Sequence, residues 1–165
     1  MEMHSSHVYK GDQLLIIGGR CLPQGGTLDA ITFNDIIYQV DTKSGKVSEF
    51  GKLPCAVGSH VSCIIDDKYI VVYGGTNGYR FFDNVLRYEI SKQKWTLMTK
   101  YPDSWKDSKW FSDGRIAVSS WSSDSKGYAL FFGGCSAETD HGDFMVLPFA
   151  AFKDDSNFSE ITEIM

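Results

Sequence analysis

The sequence predicts an all-β chain made of three four-stranded antiparallel units. Two observations predict it. An apolar run ending in paired glycines occurs three times at near-equal intervals, at Gly18-Gly19, Gly74-Gly75 and Gly133-Gly134. Self-similarity at a steady interval marks stacked copies of one supersecondary unit. In addition, no stretch sustains the 3.6-residue apolar period of an amphipathic helix.

Each element follows in order. The apolar runs are Leu14-Leu15-Ile16-Ile17, Tyr69-Ile70-Val71-Val72-Tyr73 and Tyr128-Ala129-Leu130-Phe131-Phe132. Apolar at every position, they read as strands covered on both faces. A turn cluster precedes each: Lys10-Gly11-Asp12, Asp66-Asp67-Lys68 and Asp124-Ser125-Lys126-Gly127. These predict hairpins back to an earlier strand, with His4 and His60 at matching places before the first and second diglycines. After the diglycine comes a variable loop, then an Asn/Asp pair opening a third strand, Asn34-Asp35-Ile36 and Asp83-Asn84-Val85. A fourth strand follows through Ser44-Gly45-Lys46-Val47 and Lys92-Gln93-Lys94-Trp95. The third unit lacks the Asn/Asp pair and a late Trp, and 144–149 and 158–164 are its expected outer strands. The units span about 3–53, 58–100 and 114–165.

An apolar run ending in Gly-Gly, a loop, an Asn-Asp-Val-type strand start and a Trp about a dozen residues on resemble a Kelch repeat. Asp83 through Trp95 fits closely, whereas the first unit has Val47 at the Trp position. The resemblance covers nearly the whole chain and implies Kelch-type blades of a β-propeller. Because propellers have four to eight blades, three make an incomplete ring with an apolar face open at each end. Three sources of cover follow: further blades of a longer chain, a second copy giving six blades, or a different protein. A first strand so close to residue 1 fits a fragment or a half-ring better than a monomer.

Composition narrows the functional classes. The chain has 165 residues, 42% hydrophobic and 22% charged, with net charge −5. Its Lys and Arg are scattered, which argues against nucleic acid and against a membrane surface. The apolar runs are strand-length, far short of a membrane span, and residues 1–12 carry no secretory pattern. Four cysteines without a C-x-x-C pair predict reduced thiols in cytoplasm or nucleus and no metal site. Asn157-Phe158-Ser159 is then a chance sequon. No cofactor is implied.

In an up-and-down blade, the loop after the second strand and the loop between blades emerge on one face. Here those are the long loops 20–33, 52–59, 76–82, 99–113 and 135–143, and loops on a rigid scaffold carry recognition. They supply the candidate partner contacts Arg20, Tyr79, Arg80, Phe81, Tyr101, Trp105 and Trp110, with Lys106 and Phe111 beside them. Aromatics and arginine dominate interface hot spots. Trp105 and Trp110 have an alternative reading as packing between blades. His4 and His60 read as a repeated structural hydrogen bond on the inner strands, and His141 as a loop residue between carboxylates.

The resemblance implies a protein-binding module, in the manner of ligase substrate receptors or cytoskeletal adaptors. The alternatives are a sugar-directed propeller enzyme, or a piece of a longer Kelch protein without activity of its own. A radical oxidase needs a Tyr–Cys pair with converging histidines, which four dispersed histidines do not supply. A mutarotase needs converging arginines, for which Arg20, Arg80 and Arg115 are the candidates. No hydrolase elbow, zinc-protease helix or phosphate loop is present. The expectation is therefore binding without catalysis.

Overall fold

The computed structural model describes residues 1–22, 26–27, 30–105, 110 and 114–161. Its strands form antiparallel sheets that stack as successive blades and stop short of a ring. Blade 1 holds β1 (Ser5–Tyr9), β2 (Gln13–Ile17), β5 (Ile36–Asp41) and β6 (Val47–Lys52), in the spatial order β1-β2-β5-β6. A two-residue ladder, β3 (Arg20–Cys21) with β4 (Thr32–Phe33), braces the loop after its diglycine. Blade 2 holds β7 (Val61–Ile65), β8 (Tyr69–Tyr73), β9 (Val85–Glu89) and β10 (Lys94–Met98). Blade 3 holds β11 (Ser119–Ser123), β12 (Tyr128–Phe132) and β13 (Phe144–Pro148).

Period-two alternation sorts each blade's side chains between its two neighbours. In blade 2 the rows Val61–Tyr73–Val85 and Cys63–Val71–Arg87 face blade 3. The rows Ser62–Val72–Leu86 and Ile64–Ile70–Tyr88 face blade 1. Two cores result. One joins Tyr9, Leu15, Ile17 and Ile37 of blade 1 to Ile64, Ile70, Val72 and Tyr88. The other joins Val61, Val71, Tyr73 and Val85 to Ala129, Phe131, Met145 and Leu147 of blade 3. Covered on both faces, β7 and β8 are buried at every position.

The diglycine sits where one blade's backbone meets the next. Gly74 has φ +69°, and a Cβ there would lie 2.3 Å from the Arg115 carbonyl oxygen, closer than any real contact. Only glycine combines that dihedral with that approach. Gly75 N–H donates to the same carbonyl at 2.7 Å, as Gly19 N–H does to Val57 O. The Asn of the Asn/Asp pair acts locally: Asn34 Nδ2 donates to Gly18 O and Ile36 O, and its Oδ1 accepts from Ile36 N. Trp95, the late Trp, donates from Nε1 to Lys52 O of blade 1 at 2.6 Å and packs against Tyr88.

The third unit departs from the expected plan. Residues 144–148 form β13, but 158–160 do not complete blade 3. After Pro148 the chain makes one helical turn, α1 (Phe149–Lys153), burying Phe149 and Phe152. It then returns as β14 (Phe158–Glu160), which pairs with β10 as a fifth strand on blade 2. Arg87 holds it there. Its buried guanidinium donates to Phe152 O and to Asp155 Oδ1, each at 2.8 Å, and lies 3.9 Å over the Phe158 ring. Blade 3 thus has three strands among the described residues. Ile164 lies outside them.

Candidate protein-interaction face

The three blades present corresponding loops on one face because each makes the same bridge. The residue three positions before the inner strand pairs with the residue after the diglycine: Glu2 with Arg20, Gly58 with Thr76, Ile116 with Cys135. This fixes the base of every long loop to the blade stack.

The 76–81 loop is the most defined of them. Thr76 Oγ1 donates to Arg80 O at 2.7 Å and accepts from Gly78 N at 3.0 Å. Asn77 Oδ1 accepts from Tyr79 N and Arg80 N at 3.0 and 3.2 Å, an Asx turn closed by the side chain. Phe33 of β4 fills the space beside Gly58 and Gly78, so the loops of blades 1 and 2 share one support. At the tip, Tyr79 is 96% exposed. Arg80 is exposed and stacks its guanidinium 4.9 Å over the Phe82 ring. Phe81 is half-buried and bridges to Thr76.

The other candidates divide. Arg20 is held by Glu2, Nε to Oε1 at 2.8 Å. Tyr101 packs its ring against the blade 2–3 core, where burial, then Asp83, pushes its phenol up. Trp105 and Trp110 are 4% and 2% exposed and offer no surface to a partner. Trp105 packs against Phe152, and Trp110 lies between Tyr73 and Arg115, whose guanidinium is 3.9 Å over its ring. Packing between blades is what these tryptophans do, a correction to their placement on the binding face. Lys106 and Phe111 fall outside the described residues.

Arg115 is a buried cation whose structural role exceeds what the sequence indicated. It grips Asp143 with two hydrogen bonds, at 2.6 and 3.1 Å, and donates to Gly133 O. The Arg115 guanidinium holds the Asp143 carboxyl below the usual range. This ties the 135–143 loop to the connection between blades 2 and 3. His141, in the same loop, is anchored through its backbone N–H to Gly134 O.

On the inner strands, His60 Nε2 and Ser5 Oγ are hydrogen-bonded at 2.8 Å, and His7 Nε2 and Ser62 Oγ at 2.7 Å. Ser5 Oγ also meets Ser62 Oγ at 2.5 Å. Burial lowers both histidines to about 4, so both are neutral at pH 7. His60 therefore makes a structural bond that links blade 2 to blade 1, whereas the expected repeat of that bond at His4 is not found among the described residues. Burial also pushes the Cys63 thiol up to about 12, too high for a thiolate nucleophile. The apolar cleft between blades 1 and 2 is lined by Leu53, Cys55, Phe82 and Leu86.

With this geometry in place, the sequence can be set beside known families. The Kelch motif matches residues 58–100, from the bridge residue Gly58 through β10. The second blade is a Kelch motif. The flanking sheets share its diglycine, bridge and strand order, and the three are Kelch-type blades of an incomplete propeller. No curated protein matches the chain. Among the described residues no helix is long and apolar enough to cross a membrane.

Proposed function

We propose that this chain is a protein-interaction module whose Kelch-type blades present the 76–81 loop to a protein partner. The observation that carries this is Tyr79 at 96% exposure beside exposed Arg80, on a loop fixed by Thr76 and Asn77. A large aromatic and an arginine on a preorganised loop bind at small entropic cost. Arg80 matches a carboxylate, so the partner surface is acidic at that point. Substrate receptor and adaptor both use such a face, and the four free thiols suit a reducing cytoplasm or nucleus.

Binding is favoured over sugar chemistry by the three arginines. Arg20 is engaged by Glu2 and Arg115 by Asp143, leaving Arg80 without a carboxylate partner among the described residues. One arginine on an open loop is a contact, not a converging set.

The test is quantitative affinity capture with the wild-type chain, Tyr79→Ala and Arg80→Glu, each checked for its melting temperature. Loss of the same captured protein by both variants, at unchanged melting temperature, supports the loop as the contact. Undiminished capture by both removes it.

A further inference from the structure

Blade 3 turns one apolar face to solvent. Its rows Ser119–Phe132–Phe144 and Trp121–Leu130–Val146 correspond to the blade 2 rows Val61–Tyr73–Val85 and Cys63–Val71–Arg87, which blade 3 covers. Trp121, Phe132, Phe144 and Val146 are all exposed. At the other end, the outer face of blade 1 carries Val8, Leu14, Ile16, Tyr38, Val40 and Val47. These stand where blade 2 has the residues that pack on blade 1.

The two open faces are complementary in their backbone groups. At both existing junctions the second glycine donates to the carbonyl preceding the bridge residue: Gly19 to Val57, Gly75 to Arg115. Among the described residues Gly134 N–H has no such acceptor, and Met1 O, preceding the bridge residue Glu2, has no such donor. A second ladder runs along the inner strands. Ser59 N donates to Met3 O and Ala117 N to Ser59 O, all three residues having positive φ. Its loose ends are Ala117 O on blade 3 and Met3 N on blade 1.

The side chains complete the match. At the junction of blades 1 and 2 the inner-strand pair is Ser5 with His60, hydrogen-bonded. At the next junction the same two positions hold Val61 and Val118. At the open faces they hold Ser119 and His4, the polar pair again. We infer that two copies of this chain close one six-blade ring, blade 3 of each packing on blade 1 of the other. Two copies of the three described blades make six, within the four to eight that rings adopt. The inference is independent of the loop contact proposed above.

Light scattering behind size-exclusion chromatography tests it, using the unsubstituted chain, Val8→Glu and Phe144→Glu. Both substituted residues are exposed in the single chain, so neither change burdens its folding. The unsubstituted chain is expected at twice 18.5 kDa. Each variant alone is expected as a single chain with an unchanged circular dichroism spectrum. An equimolar mixture of the two regains a dimer, because one of its two junctions is unsubstituted on both sides. A single-chain mass for the unsubstituted protein overturns the inference. So do species larger than two copies, which mean open-ended stacking, and a Val8→Glu chain that stays dimeric, which means that blade 3 pairs with itself.

Discussion

Blades 2 and 3 carry the same strand plan and differ in what covers them. Tyr73, the residue before the blade 2 diglycine, is 1% exposed; Phe132, before the blade 3 diglycine, is 54% exposed. A Cβ on Gly74 would strike the Arg115 carbonyl, whereas one on Gly133 would meet only His141 O, at 3.3 Å. The apolar run and the diglycine are properties of the repeat. Burial is a property of the neighbour. In a stacked fold the same residue is core or surface according to whether another unit follows it.

That contrast orders the expected effects of substitution. Gly74→Val should be the most damaging, because a β-branched residue at φ +69° must also displace a carbonyl from the next blade. A cost of roughly 4 kcal/mol or more is expected, seen as loss of the cooperative thermal transition. A melting curve like the wild type's would break the comparison at its root.

Acid should come next. His7 and His60 are lowered from 6.5 to about 4, so the unfolded chain takes up protons that the folded chain refuses. The stability tied to their neutral forms is complete above about pH 6.5 and is lost as pH falls towards 4. This amounts to about 3 kcal/mol for each residue. The groups near them include His4 and the Ser5 and Ser62 hydroxyls. Denaturant titrations between pH 7 and 4 should show the decline, and His60→Gln should leave only the His7 share. A decline as steep in His60→Gln as in wild type would place the proton uptake elsewhere.

Arg87→Met sharpens the comparison at the outer edge. Losing the bonds to Phe152 O and Asp155 should cost about 2 kcal/mol and free β14 from β10. Hydrogen exchange at Phe158–Glu160 should rise with little change in blade 1. The smallest effect belongs to Arg80→Glu, which should leave the melting temperature within about 2 °C of wild type, since exposed substitutions rarely exceed 0.5 kcal/mol.

Much of this fold was legible because its signals are local. The diglycines, the hairpin turns and the alternation of β1 with β2 and of β7 with β8 are written in neighbouring residues. The fate of 158–160 was not legible. Phe-Ser-Glu is short and mostly polar, so its pattern selects no partner strand, and its pairing with β10 depends on Arg87, 71 positions earlier than Phe158. The two readings of Trp105 and Trp110, partner contact and packing between blades, stayed open for a related reason. Trp105 and Trp110 sit on a connection between blades, and composition does not say whether such a segment turns inward. On the loop face, Tyr79 and Arg80 were legible as candidate contacts because they sit in the long loop after the second diglycine. The capture of Arg20 by Glu2 was not, since it requires the bridge that brings residue 2 beside residue 20.

The most direct test of the comparison is to measure Gly74→Ala against Gly133→Ala, by thermal denaturation at a dilution where light scattering finds single chains. Both glycines have φ +69°, so the backbone strain is shared and only the neighbour differs. The account predicts a fall of about 2–4 °C for Gly133→Ala, the cost of about 1 kcal/mol of strain, and a fall several times larger for Gly74→Ala. Equal falls would contradict the claim that a following blade, and not the repeat itself, makes the diglycine indispensable.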